Sequence, residues 1–304
     1  LRAGAANVRA RGCQPLHGEV CDAELGTLSP RHREALAKLE QGYEMACSDA
    51  GFKAYLHVVS HLYAYSPRNV MLIFAQMPDA TMVNAYERWQ EAGRQVKKGE
   101  RGLKIFYPQH RIVTIADDAG EEEWHRILTG FGIGNVFDVS QTDGPPLAPP
   151  RPPEERFGTS DVADALTDRL AAFLIGEGLR VEQKPLAKVR GYFDPGKREI
   201  ALNDTLPRDD GWLKTLGHEA AHYLAGDVAG WEGRPLREFV AESSAYAALL
   251  ALGVDTSGYS LDYITWWTRE PKMVKTAMPE IAAVTRKLIA IMEGERPEVM
   301  GDWL

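Results

Sequence analysis

Long apolar runs are missing from this chain. No stretch approaches the roughly 18 consecutive apolar residues of a membrane span, so no membrane partner is expected. Cysteine is scarce. Cys13, Cys21 and Cys47 are an odd, scattered trio near the N-terminus, which excludes a disulfide-stapled scaffold and fits a reducing, cytoplasmic setting. Positive charge is not in excess either. A net charge of −8 removes any global electrostatic argument for nucleic acid and leaves such binding to a local patch. The first 25 residues carry three arginines but no continuous apolar segment, so they do not read as a secretory signal. Internal repeats are also absent. What is present is ordinary globular composition, 44% apolar and 26% charged over 304 residues, enough for two domains.

Six prolines in "TDGPPLAPPRPPEER", residues 142–156, cannot support a helix or a central strand and read as a stiff, solvated linker. The expected organisation is therefore a poorly ordered lead-in (1–26), a first domain (27–141), the linker (142–156) and a second domain (157–304). Both halves are expected to be α+β. In the first, Ser29-Pro30 and Ser66-Pro67 are helix starts. "FKAYLHVVSHLYAY" and "ATMVNAYERWQEAG" have helical spacing, whereas "RQVKKGERGLKIFYP", "HRIVTIAD" and "GNVFDVSQ" read as strands of a small antiparallel sheet. In the second, "DVADALTDRLAAFLIGEG" is an amphipathic helix and "VRGYFDPGKREIALND" is a hairpin across Asp194-Pro195-Gly196. A helix ending at Gly226 and another from about Pro235 to Leu252 follow.

The chemistry concentrates in "TLGHEAAHYLAGD", residues 215–227. On a helix, positions four apart share a face, so His218 and His222 can present two imidazole nitrogens to one ion. Glu219 lies about 100° round the helix, where it reaches a water rather than the ion, the place of a general base. Zinc takes nitrogen and carboxylate ligands and keeps one of four positions open in catalytic sites, so a third protein ligand is required. Chance alone would produce this spacing in about one or two chains per hundred, so context decides. Sixteen residues after His222, "REFVAESSAYAALL" carries Glu238 and Glu242 one turn apart. A helix–turn–helix return of that length brings Glu238 opposite the histidines and leaves Glu242 behind, able to support a ligand histidine. A second histidine pair, His57 and His61, also has the spacing of four. It has valine where a base would stand and no acidic helix returning to it, so it reads as surface or half-buried histidine.

His218-Glu219-x-x-His222 followed by Glu238-x-x-Ala241-Glu242 resembles the gluzincin arrangement of zinc metallopeptidases. The resemblance implies one zinc per chain, or another divalent transition metal, held by His218, His222 and Glu238, with Glu242 in support and Glu219 as base. Glutamate stands at the second acidic position where many gluzincins have aspartate, which keeps Glu242 open as the alternative ligand. Tyr246, Tyr259 and Tyr263 are the tyrosines near the motif, and none stands out as a transition-state stabiliser.

Residues 87–111 hold seven basic residues against three acids, with aromatics interleaved. Tyr65, Arg68, Trp89, Arg94, Lys97, Lys98 and Lys104 form the combination that holds single strands, cations tracking phosphates and rings stacking bases. A solvated hairpin with its aromatics in a core is the competing reading, and the acidic "DDAGEEE" of 117–123 favours it. The stretch "YSPRNVMLIFAQMPDATMVNAYERWQEAGRQVKKGERGLKIFYP" and "NVFDVSQT" resemble the N-terminal domain of ArdC-type antirestriction proteins. With the zincin-like half, that resemblance spans roughly residues 27–290. It implies non-specific binding of single-stranded DNA, a metallopeptidase domain and a mobile-element setting in which incoming DNA is shielded from restriction. The alternative is a cytosolic zinc metalloprotease that cleaves a regulatory protein substrate, with the N-terminal half as a protein-recognition module. A protein with a purely structural metal site would have no need of Glu219.

Overall fold

The protein is described from a computed structural model covering residues 29–116, 122–147, 162–206, 210–226, 234–254 and 270–295. The expected lead-in at 1–26 and residues 148–156 of the proline-rich segment lie outside the described residues.

The chain is mixed α/β with small sheets. It opens with three helices, α1 (Pro30–Ala46), α2 (Asp49–Leu62) and α3 (Pro67–Gln76). Each starts at a serine whose hydroxyl accepts a backbone N–H of the first turn: Ser29 from His32, Ser48 from Gly51 and Ser66 from Asn69. Pro30 and Pro67 occupy the first turn, where no N–H is needed. There follow β1 (Val83–Asn84), α4 (Tyr86–Glu91), β2 (Gln95–Val96), β3 (Leu103–Ala116), β4 (Glu122–Asp138), a 3-10 turn (Val139–Gln141) and β5 (Thr142–Asp143). The strands pair antiparallel in the order β1-β4-β3, and β2 pairs with β5.

Two expectations change here. The helix read over 80–93 is broken, because Val83 and Asn84 pair with Asp138 and Phe137 and only Tyr86–Glu91 is helical. The Asp138 carboxylate fixes that entry by accepting the N–H groups of Thr81 and Met82. The strands read at 94–108 and 110–117 are one strand from Leu103 that runs through Pro108. Proline is tolerated because β3 is an edge strand, and residues 104 and 106 turn their backbone groups outward to α3 rather than to β4. At position 108 the missing N–H thus costs no ladder bond.

The second half contains α5 (Val162–Gly176), β6 (Arg180–Lys184), β7 (Gly191–Asp194), β8 (Glu199–Asn203), α6 (Asp210–Ala225), α7 (Arg234–Ala251) and α8 (Pro271–Glu293). The expected hairpin is present as β7–β8, closed by the Asp194 carboxylate accepting the Lys197 N–H at 3.0 Å. The sequence reading did not include β6, which pairs parallel to β8 and gives the order β6-β8-β7. β7 is therefore an edge strand, and it lies against α6.

The apolar interior runs across both halves. Phe52 of α2 stacks on Phe239 of α7 with ring centroids 5.0 Å apart. Tyr55 is fully buried and donates its hydroxyl to the carbonyl of Met278 in α8 at 2.8 Å. Two domains joined by a linker were expected, whereas the buried helices of the two halves pack into one apolar cluster.

Candidate functional site

α6 and α7 cross so that His218, His222 and Glu238 converge. The donor atoms His218 Nε2 and His222 Nε2 lie 3.2 Å apart, and Glu238 Oε2 is 3.4 Å from the first and 3.9 Å from the second. Tetrahedral coordination at about 2.0–2.1 Å separates neighbouring donors by about 3.3 Å. Two edges of the triangle meet that spacing and the third is slightly long, so the three residues fit one divalent ion.

Glu242 stands one turn further along α7, and its Oε2 is 2.9 Å from His218 Nδ1. Its other oxygen pairs with Lys214 Nζ at 2.8 Å. Burial alone would raise the Glu242 carboxyl, but the bonds to His218 and Lys214 override it and hold the group at about 2. Burial likewise works against charge on the His218 ring. Hydrogen bonds to Glu238 and Glu242 outweigh it and raise that imidazole to about 9. Glu219 is 7% exposed, and burial lifts its carboxyl to about 7 against the opposing pull of His218. The Phe193 backbone N–H donates to the same carboxylate.

His218, Glu219, His222 and Glu238 line a cleft of about 860 Å³ bounded by Tyr192 and Phe193 of β7 on one side and Arg237 of α7 on the other. Tyr192 is fixed from behind by donating its hydroxyl to Glu199 at 2.6 Å, and Glu199 also pairs with Arg180 and Lys184. Tyr223, one turn after Glu219, lies edge-on to Phe193 with centroids 5.9 Å apart. Tyr246 is 8% exposed and does not line this cleft, while Tyr259 and Tyr263 lie outside the described residues. His57 and His61 have their rings 4.3 Å apart, and neither belongs to a three-residue metal cluster among the described residues.

The basic and aromatic residues read from the sequence as DNA contacts are not gathered into one surface. Trp89 is a correction. It is 1% exposed and donates its indole N–H to the Phe137 carbonyl at 2.8 Å, so its ring cannot stack on a base. The Tyr65 hydroxyl donates to the Val83 carbonyl and its ring packs on the core. The Arg94 guanidinium is spent on Thr142 and the carbonyls of 142 and 145, tying β2 to β5. Lys97 Nζ donates to the Ser140 carbonyl, and Lys104 Nζ to Asn135 Oδ1 at 2.7 Å. Arg68 is half-buried near Tyr43, and Lys98 is exposed beside a hollow of about 530 Å³ lined by Tyr86 and Lys97.

Sequence reasoning gave no structural role to two residues that organise this half. Asn69 and Gln76 sit seven apart on one face of α3 and clamp the outer edge of β3. Asn69 exchanges both amide bonds with the backbone of Phe106, each at 2.8 Å. Gln76 does the same with Lys104, at 3.0 and 2.9 Å. Amides of matching helical phase bracketing the apolar run "VMLIFA" were the available signal.

Residues 32–137 match the family model described as the N-terminal domain of anti-restriction factor ArdC. This chain carries that similarity over about a third of its length, within its first half. It is 27% identical over 241 residues to the uncharacterized protein pXO2-81 of Bacillus anthracis, a match that takes in 67% of this chain and 41% of that relative. The chain thus spans less than half of that relative's length. Among solved structures, the metal-free antirestriction ArdC protein from the R388 plasmid is 19% identical with a TM-score of 0.43, covering 80% of this chain and 98% of that one. Its Mn(II)-bound form is 20% identical with the same TM-score, covering 79% and 97%.

Proposed function

We propose that this is an antirestriction protein of the ArdC type. In this reading residues 27–141 bind single-stranded DNA without sequence preference, and residues 157–304 form a zincin-like metallopeptidase unit, joined by residues 142–156. The observation that supports the second part is the convergence of His218, His222 and Glu238 beside a buried Glu219 in an open cleft. Zinc held on those three atoms would supply Lewis acidity toward a carbonyl and acidify water. Glu219, lifted to about 7, is suited to take a proton from the attacking water and return it to the leaving amine. Glu242 orients His218 through Nδ1 so that Nε2 faces the donor triangle. The edge strand β7 borders the cleft where an extended peptide could add as a further strand. The family of residues 32–137 supports the first part. Among the described residues no helix is long and apolar enough to cross a membrane, and operation in the cytoplasm is part of the proposal.

A second reading is favoured by the burial of Trp89 and the internal bonding of Arg94, Lys97 and Lys104. In it the chain is a cytosolic zinc metalloprotease whose N-terminal half recognises a protein substrate.

Two measurements on the intact chain separate these. Elemental analysis should find about one zinc per chain, lost in His218→Ala and His222→Ala and kept in Glu219→Gln, which abolishes hydrolysis. Manganese should be titrated alongside, since the R388 relative carries Mn(II) in one structure. Full zinc in the double-histidine variant would remove the metal assignment. Titration with single-stranded DNA at two salt concentrations tests the first half, and absence of binding would give the protease reading the lead.

A further inference from the structure

Two exposed arginines stand on the rim of the cleft that holds the donor triangle. Arg198 lines it from the β7–β8 turn and Arg237 from α7. Among the described lining residues the acids are Glu219 and Glu238. Both are directed inward. Glu219 is buried and accepts the Phe193 N–H, and Glu238 faces the two histidine nitrogens. Two acids beside the rim are already engaged, Asp194 by Lys197 at 3.2 Å and Glu177 by the Tyr223 hydroxyl at 3.3 Å. A cationic rim runs against the chain's net charge of −8.

Arg198 holds a position that usually belongs to glycine. Its φ is +49°, and its N–H closes the hairpin turn on the Pro195 carbonyl at 3.3 Å. Arginine there carries backbone strain and brings a guanidinium to the rim. Its Nε and Nη2 donate to the carbonyls of Gly178 and Glu177, at 3.4 and 2.6 Å, just past the end of α5. Carbonyls anchor the side chain without cancelling its charge, and Nη1 takes part in neither bond. Apolar and aromatic side chains, Leu179, Tyr192, Phe193 and Tyr223, line the space between the two walls.

We propose that this cleft takes an extended peptide in which an apolar residue is flanked by acidic side chains, with Arg198 and Arg237 as the specificity-determining residues. The inference rests on the peptidase reading of the site and names its substrate class. Guanidinium and carboxylate match in shape as well as charge, since two parallel N–H groups meet two oxygens. Strand β7 offers backbone pairing along one wall, which any sequence can satisfy. Side-chain charge is then what the two arginines can discriminate, and they repel lysine-rich segments as they attract acidic ones.

The test uses zinc-loaded Glu219→Gln in the full chain, which binds without turnover, and fluorescence anisotropy of short labelled peptides with a central phenylalanine. One peptide has glutamate flanks and one has lysine flanks, both amidated at the C-terminus. A third has neutral flanks and a free C-terminal carboxylate. The glutamate peptide should bind on the order of tenfold tighter than the lysine peptide, the scale of one hydrogen bond to a charged group. High salt should narrow that gap. Arg237→Glu should reverse the order of the two. Arg198→Gly suits the turn and should reduce the preference, with thermal melts confirming that it folds. Tight binding of the free-acid peptide alone would make the arginines readers of a chain end and overturn the assignment. If all three bind equally and the parent cleaves them at equal rates, the specificity is wrong while the peptidase reading stands. If none binds and none is cleaved, both fall.

Discussion

Lys214 and Glu242 form an ion pair behind the donor triangle, Nζ to Oε1 at 2.8 Å, with side chains 19% and 8% exposed. With Oε2 on His218, both oxygens of Glu242 are engaged, and Glu238 is the acid left facing the two Nε2 atoms. Glu238→Ala should therefore weaken metal binding more than Glu242→Ala, whose loss is expected at about 10–100-fold. Chelator competition measures both, and the reverse order would exchange their roles. Lys214→Met removes one of the two partners of the buried Glu242 carboxylate, His218 remaining, and should cost about 1–3 kcal/mol in urea unfolding, with Lys214→Arg recovering part of it.

Trp89→Ala should lower stability by about 3–5 kcal/mol, since it empties a core site and strands the Phe137 carbonyl. Trp89→Phe should cost less. Chemical denaturation checks this. An alanine variant of parental stability that loses DNA affinity would return Trp89 to the binding surface.

Asn69→Asp removes the donor to the Phe106 carbonyl while keeping the acceptor for its N–H. Because Asn69 is 8% exposed, the expected loss is about 1–3 kcal/mol. Protonating the new carboxyl restores a donor, so the deficit should shrink as the pH falls. Melting curves at pH 4 and pH 7 decide it, and a deficit that grows in acid would refute the clamp.

Glu199 makes an acid-sensitive contribution away from the donor triangle. Hydrogen bonds from Lys184 and Tyr192, with Arg180 nearby, hold its carboxyl below the ordinary glutamate value of 4.5. Folding thus gains stability that is fully present above that value and is lost as the pH falls through the depressed one. Glu199→Gln should lower stability at neutral pH and flatten its decline in acid. A variant with the parent's acid profile would show that the cluster contributes nothing to it.

Cleavage at a protease site engineered between Pro149 and Pro150 should not release two independent pieces. Phe52 on Phe239 and Tyr55 on Met278 bridge the halves, so the nicked fragments should co-elute in gel filtration. Adding Phe239→Ala should loosen that association. Separation of the unmutated fragments would show two autonomous cores.

Legibility in the sequence followed the range of the interactions. Helix starts at Ser29 and Ser66 were readable because a cap is written within four residues. The histidine pair and the return of Glu238 depend on helical phase and one short connection, which are also local. β4 was largely missed because Gly130, Gly132 and Gly134 dilute its strand character, and an acid-rich run marks its start. Only the structure shows that the Tyr107 ring occupies the space a Cβ at Gly132 would need. The fate of Trp89 was likewise illegible. An aromatic among cations looks the same whether it faces solvent or the backbone of a strand forty-eight residues away. Shared packing between the halves leaves no trace in spacing at all.

The amides of Asn69 and Gln76 have one more consequence. At Lys104 and Phe106 they occupy the bonding positions that a neighbouring strand would use. A helix thus terminates the sheet the way a selvedge terminates cloth. Another chain trying to lengthen the sheet meets side chains where it needs backbone, then Pro108, which offers no hydrogen. Lateral growth into fibrils is blocked along the inner third of β3. In Asn69→Ala with Gln76→Ala, self-seeded assembly should begin from this edge.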